Sequence, residues 1–270
     1  MSNLSKLLDR PQSPEPRWAP PSVAAPAARV LVVIPTYCER DNIEAVLAQV
    51  RTAAPLADIL VVDDNSPDGT AALVVDAGAR LGQIRVLRRG SKAGLGAAYR
   101  AGFGDGLDRG YDILVEMDAD LSHDPAALPD LIDAVIDGAD LAIGSRYVPG
   151  ASIPSWSRRR RALSRYGNAY AAYLLRVDVA DLTSGYRAFR AEMLRAVNVE
   201  DSHATGYAFQ IELVDRVARA RGAIVEVPIA FNDRTDGESK MSARITVEAL
   251  ALVTWWGVRD WRSRRNAHAS

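Results

Sequence analysis

Little in this chain can be cross-linked or threaded through a bilayer. Cys38 is the single cysteine among 270 residues, so neither an intrachain disulfide nor a cysteine-rich metal site can form, which fits a reducing compartment. No run of about 18 apolar residues could span a membrane, and the start, MSNLSKLLDRPQSPEP, lacks the apolar core of a secretory signal. A protein made in soluble form in the cytoplasm is the expectation. Lysine is scarce too: with only Lys6, Lys92 and Lys240, arginine carries nearly all positive charge, which lowers the weight of any single arginine as a binding signal. The net charge of -1, from 33 basic against 34 acidic residues, excludes a global field that would recruit nucleic acid and confines any anion site to a local cluster. Histidine occurs only at positions 123, 203 and 268, so an obvious general base is missing.

What is present organises as strand and helix in alternation. Residues 1–28 hold six prolines among Ala and Ser and read as a disordered tail. The folded part opens at Val30 to Ile34, a β-branched apolar run of the kind buried on both faces of a parallel sheet, and Pro35 stops it. Asp41 or Asn42 can cap a following helix whose Ile43, Val46, Leu47 and Val50 fall at helical spacing. Asp58 to Asp63 repeats the strand pattern, and the turn formers NSPDGT lead into a helix from about Thr70. A short strand at Ile84 to Leu87, a helix over Leu95 to Leu107, a strand at Ile113 to Val115, a helix near Pro125 to Asp137 and a strand at Leu141 to Gly144 continue the series. Such βα order predicts an α/β fold with a mostly parallel central sheet. The second half is less regular: a helix from Arg158 to about Arg176, a turn and short strand in DLTSGYRAFR, a helix over Tyr207 to Arg221, and a strand at Ile224 to Phe231 broken by Pro228.

In such sheets ligands bind outside the C-terminal ends of the strands, and there the polar residues collect: Tyr37 and Glu39, Asp63 and Asp64, Asp118 and Asp120, and Arg146 each follow an apolar run. In an extended chain Asp118 and Asp120 lie on one side, about 6.5–7 Å apart, close enough for both to approach one hard cation; a solvated acidic turn is the competing reading. Arg158 to Arg161 are equally compatible with a solvated basic helix face. Ser242 to Arg262 predicts an amphipathic C-terminal helix interrupted by Glu248, Arg259 and Asp260. Its Trp255, Trp256 and Trp261 beside Arg259, Arg262, Arg264 and Arg265 suit either a lipid headgroup boundary or a helix docked on the core.

The ordered segments VVIPTYCERDNI, ILVVDDNSPDGT, KAGLGAAYRAGF, VEMDADLSHDP, AIGSRYVPG, LTSGYRAF, VEVPIAF and DGESKMS resemble the polyprenol- or dolichol-phosphate mannosyltransferases of glycosyltransferase family 2. The resemblance spans roughly residues 29–242. It implies a Rossmann-like GT-A domain over 29–242, with 243–270 as an interfacial helix and basic tail. It further implies GDP-mannose as donor, Mg2+ or Mn2+, a polyprenyl phosphate acceptor in the membrane, and attachment to the cytoplasmic face directly or through a separate membrane-anchoring protein. Carried over by motif, Pro35, Tyr37, Glu39, Val62 and Asp64 surround the guanine. Asp118 and Ala119 lie near ribose and diphosphate. Asp120 is the foremost metal ligand, with Asp118 and Ser122 as further candidates. Arg146, Arg160, Arg234 and Lys240 meet the donor diphosphate or the acceptor phosphate, and Asp120, Arg146, Arg234 and Lys240 carry the catalytic role. A polyprenyl-phosphate transferase using UDP-glucose, a sugar nucleotidyltransferase, and an inactive nucleotide-binding scaffold are the alternatives. The nucleotidyltransferase needs a glycine-rich loop after the first strand, which PTYCERDN does not supply.

Overall fold

The computed structural model describes residues 27–202, 204, 206–232 and 253–255. The expected tail over 1–28 lies outside these except for its last two residues. Among the described residues seven strands form one sheet: β1 (Val30–Thr36), β2 (Asp58–Asp63), β3 (Ile84–Arg88), β4 (Ile113–Glu116), β5 (Leu141–Ser145), β6 (Arg187–Arg190) and β7 (Ile224–Pro228). Their order is β3-β2-β1-β4-β6-β5-β7. All pairs are parallel except those of β6, which runs antiparallel to both β4 and β5.

The continuous apolar runs are explained by burial from both sides. Along β1, Leu31 and Val33 belong to one core layer and Val32 and Ile34 to the other, as the two-residue period of a strand requires. The second layer is covered by α1 (Ile43–Ala53), α2 (Thr70–Leu81) and α4 (Leu128–Ile136). The first is covered by α3 (Leu95–Asp108), α5 (Arg158–Leu175), the short α6 (Ala191–Ala196) and α7 (Gly206–Arg219). A Cβ added at Gly102 would stand 2.4 Å from Val33 Cγ1, and one at Gly106 would stand 2.5 Å from Leu114 Cδ2. Both glycines let α3 lie directly on β1 and β4.

Several boundaries differ from expectation. Asn42 occupies the cap position of α1, but its side chain does not cap; instead the backbone N–H groups of Asn42 and Ile43 donate to the Glu39 carbonyl. The helix expected from Pro125 opens as a 3-10 turn over Pro125–Ala127, capped by the Asp124 side chain, before α4 begins. β7 ends at Pro228, and beyond it Ala230 and Phe231 make only isolated bridges, to Ser152 and His123. Of the expected C-terminal helix, residues 253–255 are described and are helical; the rest lies outside the described residues. No helix among the described residues is long and apolar enough to cross a membrane.

Candidate active site

The sheet order reverses between β1 and β4: β1, β2 and β3 proceed one way and β4 lies on the other side of β1. A crevice outside the C-terminal ends of these two strands is where such sheets bind ligands, and the expected site residues flank it. Pro35 on β1 is in register with Val62 on β2. Tyr37 follows β1 and is half-buried, with Lys92 Nζ 3.9 Å above its ring centre. Cys38 has φ 57°, and its backbone N–H donates to Ser66 Oγ, while that of Glu39 donates to Thr70 Oγ1. These bonds tie the loop after β1 to the loop after β2. Buried Asp63 supports the same junction, accepting from Thr36 Oγ1 and from the Ser66 N–H. Asp64 is buried too; it pairs with Arg89 at 2.8 Å and accepts from the Ala93 N–H, anchoring the entry to α3.

β4 stops at Glu116, so the Asp-Ala-Asp motif stands beyond the strand, with Asp118 in irregular backbone and Ala119 and Asp120 in a bend. Leu121 turns that bend with φ 59°. Asp120 is 5% exposed and accepts from the Ser122 N–H at 3.0 Å, an Asx-type turn that fixes its carboxylate. Asp118 is the accessible member, its side chain 29% exposed, with one oxygen accepting from Tyr99 Oη at 3.3 Å and the other 3.9 Å from His123 Nδ1. Ser122 is buried, and its carbonyl accepts from the Asn232 N–H. His123 stacks on Tyr186 and meets Phe231 edge-on. No cluster of three or more His, Cys, Asp or Glu side chains suited to a metal occurs among the described residues. Asp118 and Asp120 nonetheless form a hard oxygen pair of the type that holds Mg2+ or Mn2+ together with phosphate oxygens and water.

On the far side of the crevice Arg146, just after β5, is committed to a partner absent from the sequence expectations. Its Nε and Nη2 donate to the two oxygens of Asp181 at 2.7 Å each, its backbone N–H donates to the same carboxylate, and Nη2 also reaches Thr183 Oγ1. Asp181 has no exposure; burial opposes its ionisation, yet Arg146 prevails and holds its pKa below the usual value. Glu226 on β7 accepts from the backbone N–H groups of Ala180 and Asp181, fixing this turn. The rings of Phe231, Trp156 and Tyr147 lie 5.3–5.6 Å from the Arg146 guanidinium. Arg160 rests 4.2 Å over Trp156, and the Ser157 hydroxyl accepts the Arg160 N–H to cap α5. Beside Arg146 opens a cavity of about 410 Å3 whose lining includes Val148, Ile153, Pro154, Arg161 and Arg165. Arg234 and Lys240 lie outside the described residues.

Sequence reading missed the polar groups beneath the motif. Glu116, on β4, and Arg187, directly opposite on β6, have no exposure and approach to 3.5 Å. Burial pushes the Glu116 carboxyl up to about 8, with Arg187 opposing and Asp118 adding to the rise. Arg187 donates to the carbonyls of Gln210 and Leu182. Burial and the carboxylates of Asp118 and Glu116 drive the Tyr99 hydroxyl well above its usual pKa, so it is a donor. A charged residue inside the apolar run ILVE was the available signal for this cluster.

A mostly parallel sheet with a carboxylate pair beyond β4, beside the β1–β4 switch point, and Arg146 beyond β5 is the arrangement of the GT-A class of glycosyltransferases. The solved glucosyl-3-phosphoglycerate synthase of Mycobacterium tuberculosis, in its complex with phosphoglyceric acid, shares this fold: the TM-score is 0.65 at 21% identity, covering 84% of this chain and 80% of that one. The sequence model described as glycosyl transferase family 2 matches residues 31–197. The polyprenol monophosphomannose synthase of Mycolicibacterium smegmatis is 50% identical over 240 residues, 88% of this chain and 91% of its own. The undecaprenyl-phosphate mannosyltransferase of Micrococcus luteus is 49% identical, over 85% and 94%. The dolichol-phosphate mannosyltransferase of Pyrococcus furiosus is 34% identical over 86% of this chain and 66% of its own. The chain belongs to glycosyl transferase family 2, among its polyprenol-phosphate mannosyltransferases.

Proposed function

We propose that the protein transfers mannose from GDP-mannose to a polyprenyl phosphate at a membrane surface, with inversion and with a divalent cation. The observation that carries this reading is the facing of Asp118 and Asp120, at the end of β4, by a nucleotide-side cluster at the ends of β1 and β2, in a chain half identical to a polyprenol monophosphomannose synthase. Pro35, Tyr37, Glu39, Val62 and Asp64 hold the guanine and ribose, and Ala119 follows the ribose side. Asp118 and Asp120, with Ser122 next to them, hold Mg2+ or Mn2+ against the donor diphosphate. The cation, once bound, would neutralise charge developing on departing GDP.

The protein's own groups do the remaining work. Arg146 is held rigidly by Asp181 and lines the neighbouring cavity, so it supplies a fixed positive group rather than a mobile charge. Arg160, Arg234 and Lys240 complete the anion-binding set that brings two phosphates together against their mutual repulsion. The cavity beside Arg146 combines arginines with Val148, Ile153 and Pro154, which suits a ligand with an anionic head and an apolar chain. An acceptor phosphate is already ionised near neutral pH, so attack needs no general base, in keeping with the scarcity of histidine. Displacement in one step turns the α-linked donor into a β-linked mannosyl phosphate.

The test is direct. Purified protein with polyprenyl phosphate and Mg2+ is given labelled GDP-mannose, UDP-glucose or UDP-GlcNAc in parallel, and the lipid is extracted. Label from GDP-mannose alone is expected, and it should disappear with excess chelator and in Asp120→Asn. Label from UDP-glucose instead would move the donor assignment; full activity in chelator would remove the cation.

A further inference from the structure

We propose that Tyr99 is a positioning residue for the Asp118 carboxylate, its hydroxyl setting the orientation in which that carboxylate meets the cation and diphosphate. This rests on the proposed metal role of Asp118; the resembling segment KAGLGAAYRAGF contains Tyr99, but no role is carried over to it.

The first observation is where α3 lies. Gly102 and Gly106 remove the Cβ atoms that would collide with Val33 and Leu114, so the helix sits flat on β1 and β4. Tyr99, less than one turn before Gly102, is thereby carried over the C-terminal end of β4. It has no exposure, and its hydroxyl lies 3.3 Å from Asp118 Oδ1. The second observation is that the ring cannot swing away. It is stacked between Phe103, at 5.8 Å, and Phe209 of α7, at 6.1 Å and an interplanar angle of 5°. A rigid aromatic side chain with one polar tip delivers that tip with little freedom. The third is that Asp118 is the partly exposed carboxylate of the pair and stands in irregular backbone beyond the strand, where the backbone alone does not fix its rotamer. Carboxylates that bind metals are oriented by hydrogen bonds of this kind, and their loss costs 10–100-fold in metal affinity or activity. The stack also links α3 to α7, so the orientation of Asp118 depends on both helices being seated.

Tyr99→Phe deletes one oxygen and keeps the stack. Mn2+ binding in the presence of GDP is read by the electron paramagnetic resonance signal of free Mn2+, beside turnover as a function of Mn2+ concentration. The expected result is an apparent Kd for Mn2+ raised about 10-fold, with turnover recovering at high Mn2+ and the melting temperature little changed. Phe103→Leu, which loosens the same stack without removing the hydroxyl, should lower the melting temperature more and the Mn2+ affinity less. Unchanged Mn2+ affinity in Tyr99→Phe, while the wild-type protein binds Mn2+ with GDP, would overturn the role of Tyr99 and leave the site reading standing. Failure of the wild-type protein to bind Mn2+ with GDP would overturn both.

Discussion

Asp181→Ala should cost the fold about 3–5 kcal/mol, the range seen when one partner of a buried ion pair is stranded. Asp181 is fully buried and the Arg146 side chain is 6% exposed, so neither charge has water to fall back on. The substitution removes both carboxylate oxygens that accept from Nε and Nη2 of Arg146, and neither the Thr183 hydroxyl nor the aromatic rings beside the guanidinium carry a compensating charge. For a chain of this size the loss corresponds to a melting temperature lower by about 10 °C. The double variant Arg146→Met with Asp181→Leu removes both charges and should recover most of the deficit, because apolar replacement of a buried pair is often neutral. Activity should not return with stability, since the Arg146 charge has gone. Acid provides an independent check. Asp181 is held below its usual value of 3.8, so its contribution is complete above that pH and is lost as pH falls through the native pKa. Asp181→Asn should lack this acid-dependent loss. Urea unfolding of wild type and the single and double variants at pH 7 measures the coupling. A cost below about 0.5 kcal/mol for Asp181→Ala, outside the range for breaking a buried pair, would refute the argument. So would a double variant no more stable than the single one.

Glu116 has the opposite sign. Its pKa rises from 4.5 to about 8 on folding, so its contribution is complete below pH 4.5 and declines as pH rises through about 8. Glu116→Gln, which imitates the protonated form, should gain on wild type by up to about 1.4 kcal/mol per pH unit within that window. Urea unfolding in EDTA at several pH values reads this, and a pH-independent difference would contradict it. Deleting residues 243–270 should lower co-sedimentation with liposomes; unchanged sedimentation would mean that this segment docks on the protein instead.

Periodicity and turn chemistry made the first four strands and their helices legible, because each is a local unit whose apolar residues face one layer or the other. The polar residues at the strand ends were legible for the same reason, since a parallel sheet gathers them at one edge. The direction of β6 was not, because nothing local in RAFR distinguishes a strand that returns from one that continues. Arg146 was found as a strand-end arginine, but its partner Asp181 lies 35 residues on, in a turn the sequence reading treated as a connector. Glu116 lies just past the strand expected at Ile113 to Val115, and its pairing with Arg187 depends on the β4–β6 register. Tyr99 falls within the helix expected over Leu95 to Leu107, and nothing local marks its hydroxyl as facing Asp118. Long-range pairing, rather than local pattern, supplied each of these.

Since β6 alone connects β4 to β5 within the sheet, four residues splice the nucleotide-side strands to the strands behind Arg146. β5 and β7 can join the hydrogen-bonded ladder only after β6 has found its place, about 70 residues downstream of β4. Folding of the two sides is thereby ordered: the sheet from β3 to β4 can assemble from consecutive units, whereas the β5–β7 pair waits for a late, non-local insertion. An incomplete chain that stops before β6 would retain the carboxylate strand and lack the means to attach the arginine side to it.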